Sequence, residues 1–248
     1  VKPYYQDKWV TIYHGDCREI LPELPKVDLV LTDPPYQVTN DTNDIMDWSI
    51  WSLVVAKLKD GCGLFTFCGQ ATIDIFMLEL KTQGLTWLNT IIWHYDNTMV
   101  RERRRFGISY DPILFYSKGR LVSFDCDSVR VEYKSKERLK TPVYKNGKAW
   151  MPNPLGALRK DVWAIPAITS PAYTDEKVGH KWQKPIAVLE PMIQATTTQN
   201  QIILDFFLGS GTTAVVAKKL QRRCIGIEIE ERYCEIAAKR CSQSVMEF

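Results

Sequence analysis

Gln201-Ile202-Ile203-Leu204-Asp205-Phe206-Phe207-Leu208-Gly209-Ser210-Gly211-Thr212-Thr213 passes from a strand into a glycine turn within thirteen residues. Gln201 to Phe206 is a near-continuous apolar run of strand length, and Ala214 to Leu220 carries apolar residues at helical spacing. A second strand, Cys224 to Glu228, follows and ends on an acid. Strand, glycine turn, helix, strand and terminal carboxylate make the nucleotide-binding half of a doubly wound α/β fold. The glycines let the backbone approach a ligand, and the acid accepts from ribose hydroxyls. Glu228 lies 19 residues after Gly209, near the separation of about 20 that this arrangement uses. An ordinary tight turn would explain the glycines but not the spacing or the terminal acid. Gly209 to Ala214 also satisfies the GxGxxA form of the dinucleotide fingerprint, so this stretch leaves the nucleotide open.

A second signal stands near the N-terminus, where Asp33-Pro34-Pro35-Tyr36 closes the apolar run Val27 to Thr32. An acid at the end of a buried strand, two residues without backbone N–H donors and an aromatic ring make a rigid notch rich in acceptors. Such a notch suits a planar amine. Asp33 accepts one N–H of an exocyclic NH2, the Pro34 carbonyl accepts the other, and Tyr36 stacks on the ring. Adenine and cytosine both meet that description. Asp-Pro and Pro-Pro also occur as plain turn dipeptides, so context decides.

Taken together, the Asp33 to Tyr36 motif and the later Asp205 to Thr213 motif resemble the DNA amino-methyltransferases that use S-adenosylmethionine, in the order of their β class. Gly15-Asp16-Cys17, Phe67-Cys68-Gly69, Pro112 to Gly119, Val162 to Pro166 and Gly179-His180-Lys181-Trp182-Gln183-Lys184-Pro185 are similar to segments of that family. The resemblance runs nearly end to end, apart from about Asp125 to Leu158. Two departures stand out: Asp205-Phe206-Phe207 replaces Asp-Pro-Phe, and Lys181-Trp182 replaces Pro-Thr. The resemblance implies an α/β fold, a Rossmann-like open sheet with a basic target-recognition insertion. It places Asp205, Phe207, Gly209, Ser210, Gly211, Thr212 and Thr213 around the methionine part of S-adenosylmethionine. Glu228 takes the ribose hydroxyls, Asp16 approaches the adenine, and Lys184 meets the cofactor carboxylate. Asp33, Pro34, Pro35 and Tyr36 form the catalytic motif, with Asp33 also bordering the cofactor. Double-stranded DNA, a second copy in a homodimer and a cognate restriction endonuclease are the partners it implies. On local sequence alone Asp16 reads equally well as a helix N-cap.

The 248 residues and 28.6 kDa suffice for one α/β domain with a modest insertion. No apolar run approaches a membrane span and the N-terminus does not read as a signal peptide, so a cytoplasmic, non-exported chain is expected. Seven cysteines form no CxxC pair and there are three histidines, so no metal site is expected. No cysteine follows a proline, which disfavours the covalent Cys attack of ring-carbon methylases.

Net charge is +3, yet its distribution is uneven. Arg101 to Lys160 holds fifteen Lys and Arg against six Asp and Glu, while the remainder is acidic. A basic insertion on an acidic body suits a polyanion. Arg101, Arg103, Arg104 and Arg105 are the densest run, with Lys134, Lys136, Arg138, Lys140, Lys145 and Lys148 as further phosphate contacts. Charge runs are also common on plain solvated loops.

Strands are expected at Trp9–His14, Val27–Thr32, Cys62–Cys68, Trp87–Tyr95 and Asp111–Ser117, and helices at Cys17–Leu21, Asp47–Leu58, Ile73–Lys81 and Pro185–Thr196. Residues 1–117 then form the catalytic part, 118–160 the target-recognition insertion and 161–248 the cofactor-binding part of one domain. The expected chemistry is methyl transfer to adenine N6 in double-stranded DNA, since Asp at position 33 leans that way where cytosine N4 relatives more often carry Ser. Cytosine N4, RNA or protein amides remain alternative acceptors. A silent DNA-binding regulator would keep salt-sensitive binding without transfer, and a nicotinamide oxidoreductase would leave Asp33 to Tyr36 without a role.

Overall fold

Apolar runs and helix-forming segments alternate along the chain, and pairing of the runs yields one large sheet covered on both faces. The computed structural model describes residues 1–36, 46–96, 103–104, 106–180 and 182–243. The strands are β1 (Tyr5–Gln6), β2 (Val10–His14), β3 (Val27–Thr32), β4 (Leu58–Phe67), β5 (Thr86–His94), β6 (Tyr110–Ser117), β7 (Val143–Lys145), β8 (Lys148–Trp150), β9 (Val162–Ala164), β10 (Ile202–Asp205) and β11 (Arg223–Glu228). The helices are α1 (Cys17–Ile20), α2 (Ile50–Lys57), α3 (Ile73–Thr82), α4 (Ile186–Thr196), α5 (Thr212–Lys219) and α6 (Glu231–Gln243).

The main sheet runs β1-β2-β11-β10-β3-β4-β6-β5-β9. Its centre, β2 through β4, is parallel, whereas β6 is antiparallel to both neighbours. Every residue of β3 is buried, as a strand covered by helices on both faces requires. Leu29 and Leu31 pack with α4, α5 and α6, while Val27 and Val30 join Trp51 of α2 and Phe76 of α3 on the other face. Buried Asp28 ties strands together: Lys59 reaches it at 2.7 Å and the Ile202 amide at 2.9 Å.

Most expected elements are present with shifted ends. The helix expected from Asp47 begins at Ile50, because Asp47 turns back to accept from the Ser49 amide and hydroxyl. It stops at Lys57, because Leu58 leaves it to pair with Val27 and starts a ten-residue β4. Lys118 closes this helix end by donating to the Val55 and Leu58 carbonyls. Near the start of the expected insertion, Val122 N donates to Gly61 O and Asp125 N to Ala195 O, so its first residues are bonded to the core. Farther on, β7 and β8 form a separate two-stranded sheet across an Asn146-Gly147 turn, both with positive φ.

Candidate active site

The chain leaves β3 for β4 on one side, whereas it leaves β10 for β11 on the other. Adjacent parallel strands whose continuations diverge open a crevice beyond their carboxyl ends, where open α/β sheets bind ligands. Asp33 follows β3 at this edge, Asp205 ends β10, and Glu228 ends β11. Two motifs far apart in sequence thus meet, and a hydrogen bond from Thr32 Oγ1 to Asp205 Oδ1 at 3.0 Å joins them.

Asp33 is held from two sides. The Tyr36 hydroxyl donates to Oδ1 at 2.5 Å, and Lys184 Nζ lies 2.5 Å from Oδ2. The segment before α4 fixes Lys184 in place: Gln183 accepts from the Val178 amide and donates to the Glu176 carbonyl, and Glu176 caps the Ile186 amide. Lys184 Nζ also sits 5.5 Å from the Tyr36 ring centroid and 5.0 Å from that of Phe67. Asp111, at the start of β6, completes the cluster and accepts the Tyr95 hydroxyl at 3.0 Å. Burial pushes the Asp111 carboxyl up, against the opposing pull of Lys184. Lys184 therefore stands on Asp33 in this structure, a placement not expected for a residue assigned to a cofactor carboxylate. Sequence reading also passed over Asp111 and Tyr95, whose one signal is an acid opening an otherwise buried strand.

The glycine half is built from buried acids. Asp205 is 4% exposed and accepts from Thr32, from Thr213 Oγ1 at 2.6 Å and from the Phe207 amide at 3.3 Å. Burial outweighs these donors and raises its carboxyl to about 7. Between its ordinary value near about 4 and that raised value, the folded state holds a proton that the unfolded chain has released. Stability of the ligand-free protein therefore falls as pH rises through this window. Asp205→Asn should remove this dependence, flattening by up to about 1.4 kcal/mol per pH unit the slope seen in denaturant titrations between pH 4 and 7.

Glu228 Oε2 accepts from the Gly209 amide at 2.7 Å and Oε1 from the Glu230 amide at 2.9 Å. Each oxygen keeps a further lone pair, so the carboxylate can accept two vicinal hydroxyls. Gly209 has φ +53°, a left-handed backbone that favours glycine, and a Cβ there would touch the His180 ring at 3.4 Å. Buried acceptors beside a glycine-bearing turn fit an adenosyl cofactor. His180 packs on Tyr233 at 4.3 Å and accepts from the Trp182 amide, so it walls this pocket.

Other expected cofactor residues are engaged elsewhere. Asp16 caps α1 by accepting from the Arg18 amide at 2.8 Å, and Arg18 Nε lies 3.0 Å from both its oxygens. Of the two readings, the cap is the one the structure displays. The Ser210 and Thr212 hydroxyls face Arg240 of α6, at 3.3 and 3.1 Å, rather than the crevice. Phe207 is half-buried against Phe206, with ring centroids 4.9 Å apart. Arg103, Arg104, Lys134 and Lys136 are exposed; Arg101 and Arg105 lie outside the described residues. Among those described, no helix is long and apolar enough to cross a membrane.

The model of the N6/N4 methyltransferase family, described as DNA methylase, matches residues 27–239. The chain belongs to this family of DNA amino-methyltransferases. The methyltransferase is 33% identical over 96% of its length to the Type II methyltransferase M.ScaI of Streptomyces caespitosus, covering 83% of that protein. It is 29% identical over 93% of its length to the DNA adenine methyltransferase YhdJ of Escherichia coli K12, covering 82% of it. The M1.HpyAVI complex with S-adenosylmethionine superposes with TM-score 0.67 at 28% identity, over 93% of this chain and 99% of that one. The PvuII cytosine-N4 methyltransferase shares the fold at TM-score 0.74 and 17% identity.

Proposed function

We propose that this DNA amino-methyltransferase transfers a methyl group from S-adenosylmethionine to the exocyclic N6 amine of an adenine flipped out of double-stranded DNA. The observation that supports it most is the juxtaposition, across the β3/β10 crevice, of an acceptor-rich Asp33 notch with a buried Glu228 beside an open glycine turn. Asp rather than Ser at position 33 favours adenine, as does the likeness to YhdJ, an adenine methyltransferase by name.

S-adenosylmethionine supplies an electrophilic methyl group on a sulfonium centre. An aromatic amine is a poor nucleophile because its lone pair is delocalised into the ring, so the protein must hold nitrogen in line and bias it toward tetrahedral geometry. Asp33 accepts one amine N–H and the Pro34 carbonyl the other, while Pro35 keeps the notch rigid. Both acceptors favour the positive charge that grows on nitrogen. Tyr36 and Lys184 each use one acceptor position on Asp33, and a carboxylate offers about four, so an amine can join without displacing either. Glu228, Gly209 and Asp205 hold the cofactor, and the exposed Arg103, Arg104, Lys134 and Lys136 contact phosphates. Residues 118–160, including the β7–β8 hairpin, serve as the recognition insertion between the parts formed by 1–117 and 161–248.

Tyr36 offers the ring on which the extrahelical base stacks. Tyr36→Ala should lower turnover about 10- to 100-fold, in keeping with about 1–3 kcal/mol per stacked base. Tyr36→Phe, which keeps the ring and loses the donor to Asp33, should cost a few-fold. Equal losses in the two variants would refute stacking.

The reading itself is tested by incubating the protein with methyl-labelled S-adenosylmethionine and mixed-sequence unmethylated duplex DNA, then identifying the labelled nucleoside by mass. Label on N6-methyladenine is the expected result. Label on N4-methylcytosine would change the target base, and label on RNA or protein alone would overturn the DNA substrate.

A further inference from the structure

Phe106 is 99% exposed, more than any other large apolar side chain among the described residues. A phenyl ring held wholly in water adds nothing to the core, and here it follows the exposed Arg103 and Arg104. The chain just beyond it is anchored at the lip of the amine pocket. The Tyr95 amide donates to Ser109 O at 2.8 Å, His94 Nδ1 lies 3.0 Å from the same carbonyl, and Gln70 donates to Tyr110 O at 2.8 Å. The next residue is Asp111, which accepts from Tyr95 and lies within the electrostatic reach of Lys184 and Asp33. Asp111 follows Phe106 by five positions, so at most about 18 Å of chain lies between the ring's backbone and the pocket. Tyr144 and Trp150 are also exposed, but they belong to the separate β7–β8 sheet.

We propose that Phe106 inserts its ring into the duplex stack at the place the flipped base vacates, while Arg103 and Arg104 hold the flanking phosphates. This rests on the base-flipping reading of the Asp33 site. Extrusion leaves a gap between neighbouring base pairs, and an apolar wedge entering it restores part of the lost stacking. Basic side chains beside the wedge set its register on the backbone without reading sequence.

The test uses a duplex oligonucleotide bearing the site that the unaltered protein is found to methylate, with the target base either paired or opposite an abasic position. Phe106→Ala should slow methylation of the paired duplex about 10- to 100-fold, yet stay within about 3-fold on the abasic form, where extrusion is already easy. Phe106→Trp should restore the paired rate, and cofactor affinity should be the same in all three proteins. With 2-aminopurine at the target position, the fluorescence rise on binding should shrink in Phe106→Ala alone. Equal rates for Phe106→Ala and unaltered protein on both duplexes, or an equal loss on both, would overturn the wedge. Failure of the unaltered protein to methylate any duplex would instead overturn the underlying reading, and the wedge with it.

Discussion

Asp33→Asn should leave the protein folded and binding S-adenosylmethionine while lowering methyl transfer to DNA about 10^2- to 10^3-fold, the scale seen when one preorganised electrostatic contact is removed. Asparagine has the same shape and can still accept from Tyr36 through its oxygen. It cannot accept at both positions, and its NH2 would face either Lys184 or the incoming amine, both donors. The charge that offsets the growing positive nitrogen also disappears. The loss should fall on kcat, measured in single turnovers with saturating DNA and cofactor, while cofactor affinity by calorimetry shifts little. Turnover within tenfold of the unaltered protein would remove Asp33 from the chemistry.

Gly211→Ala should cost about 2–5 kcal/mol of stability, adding left-handed backbone strain to overpacking. Gly211 adopts φ +81°, and an added Cβ would lie 2.6 Å from Ala237 Cβ and 3.0 Å from Ala237 Cα. The second contact is backbone, so α6 itself would have to move, carrying Arg240 away from Ser210 and Thr212. Gly84→Ala is the control. Its φ is +75° with nothing within 4 Å, so it should show strain alone, about 1–2 kcal/mol. Denaturant midpoints of the two variants should therefore differ clearly, and coincident midpoints would show that α6 adapts without cost.

Local patterns explain which features were legible. The run from Gln201 to Glu228 announces strand, turn, helix and strand because each signal sits within a few residues of the next, and the same holds for Asp33 to Tyr36. The α6 helix carries Cys234, Ala237 and Cys241 at helical spacing, but a stripe of such small residues is easily read past beside the strand that precedes it. The three-residue β9 exists through its pairing with β5. Within the site, Asp111 and the placement of Lys184 on Asp33 could be recognised only once the sheet brought residues from three distant segments together. The sequence says nothing of Arg240, which donates to the Ser210 and Thr212 hydroxyls.

The strand order has a consequence for the chain as it is synthesised. β3, buried on both faces, needs β10 as one of its neighbours, and the Thr32–Asp205 bond spans 173 residues. Until β10 emerges, the ribosome-bound chain carries β3 as an open, apolar edge with unpaired amides, a template for association with other chains. Closure is a late, long-range event, slow by its topology. Messages cut short before β10 should thus yield aggregates rather than a smaller soluble domain, and chaperone demand should peak just before the final strands appear.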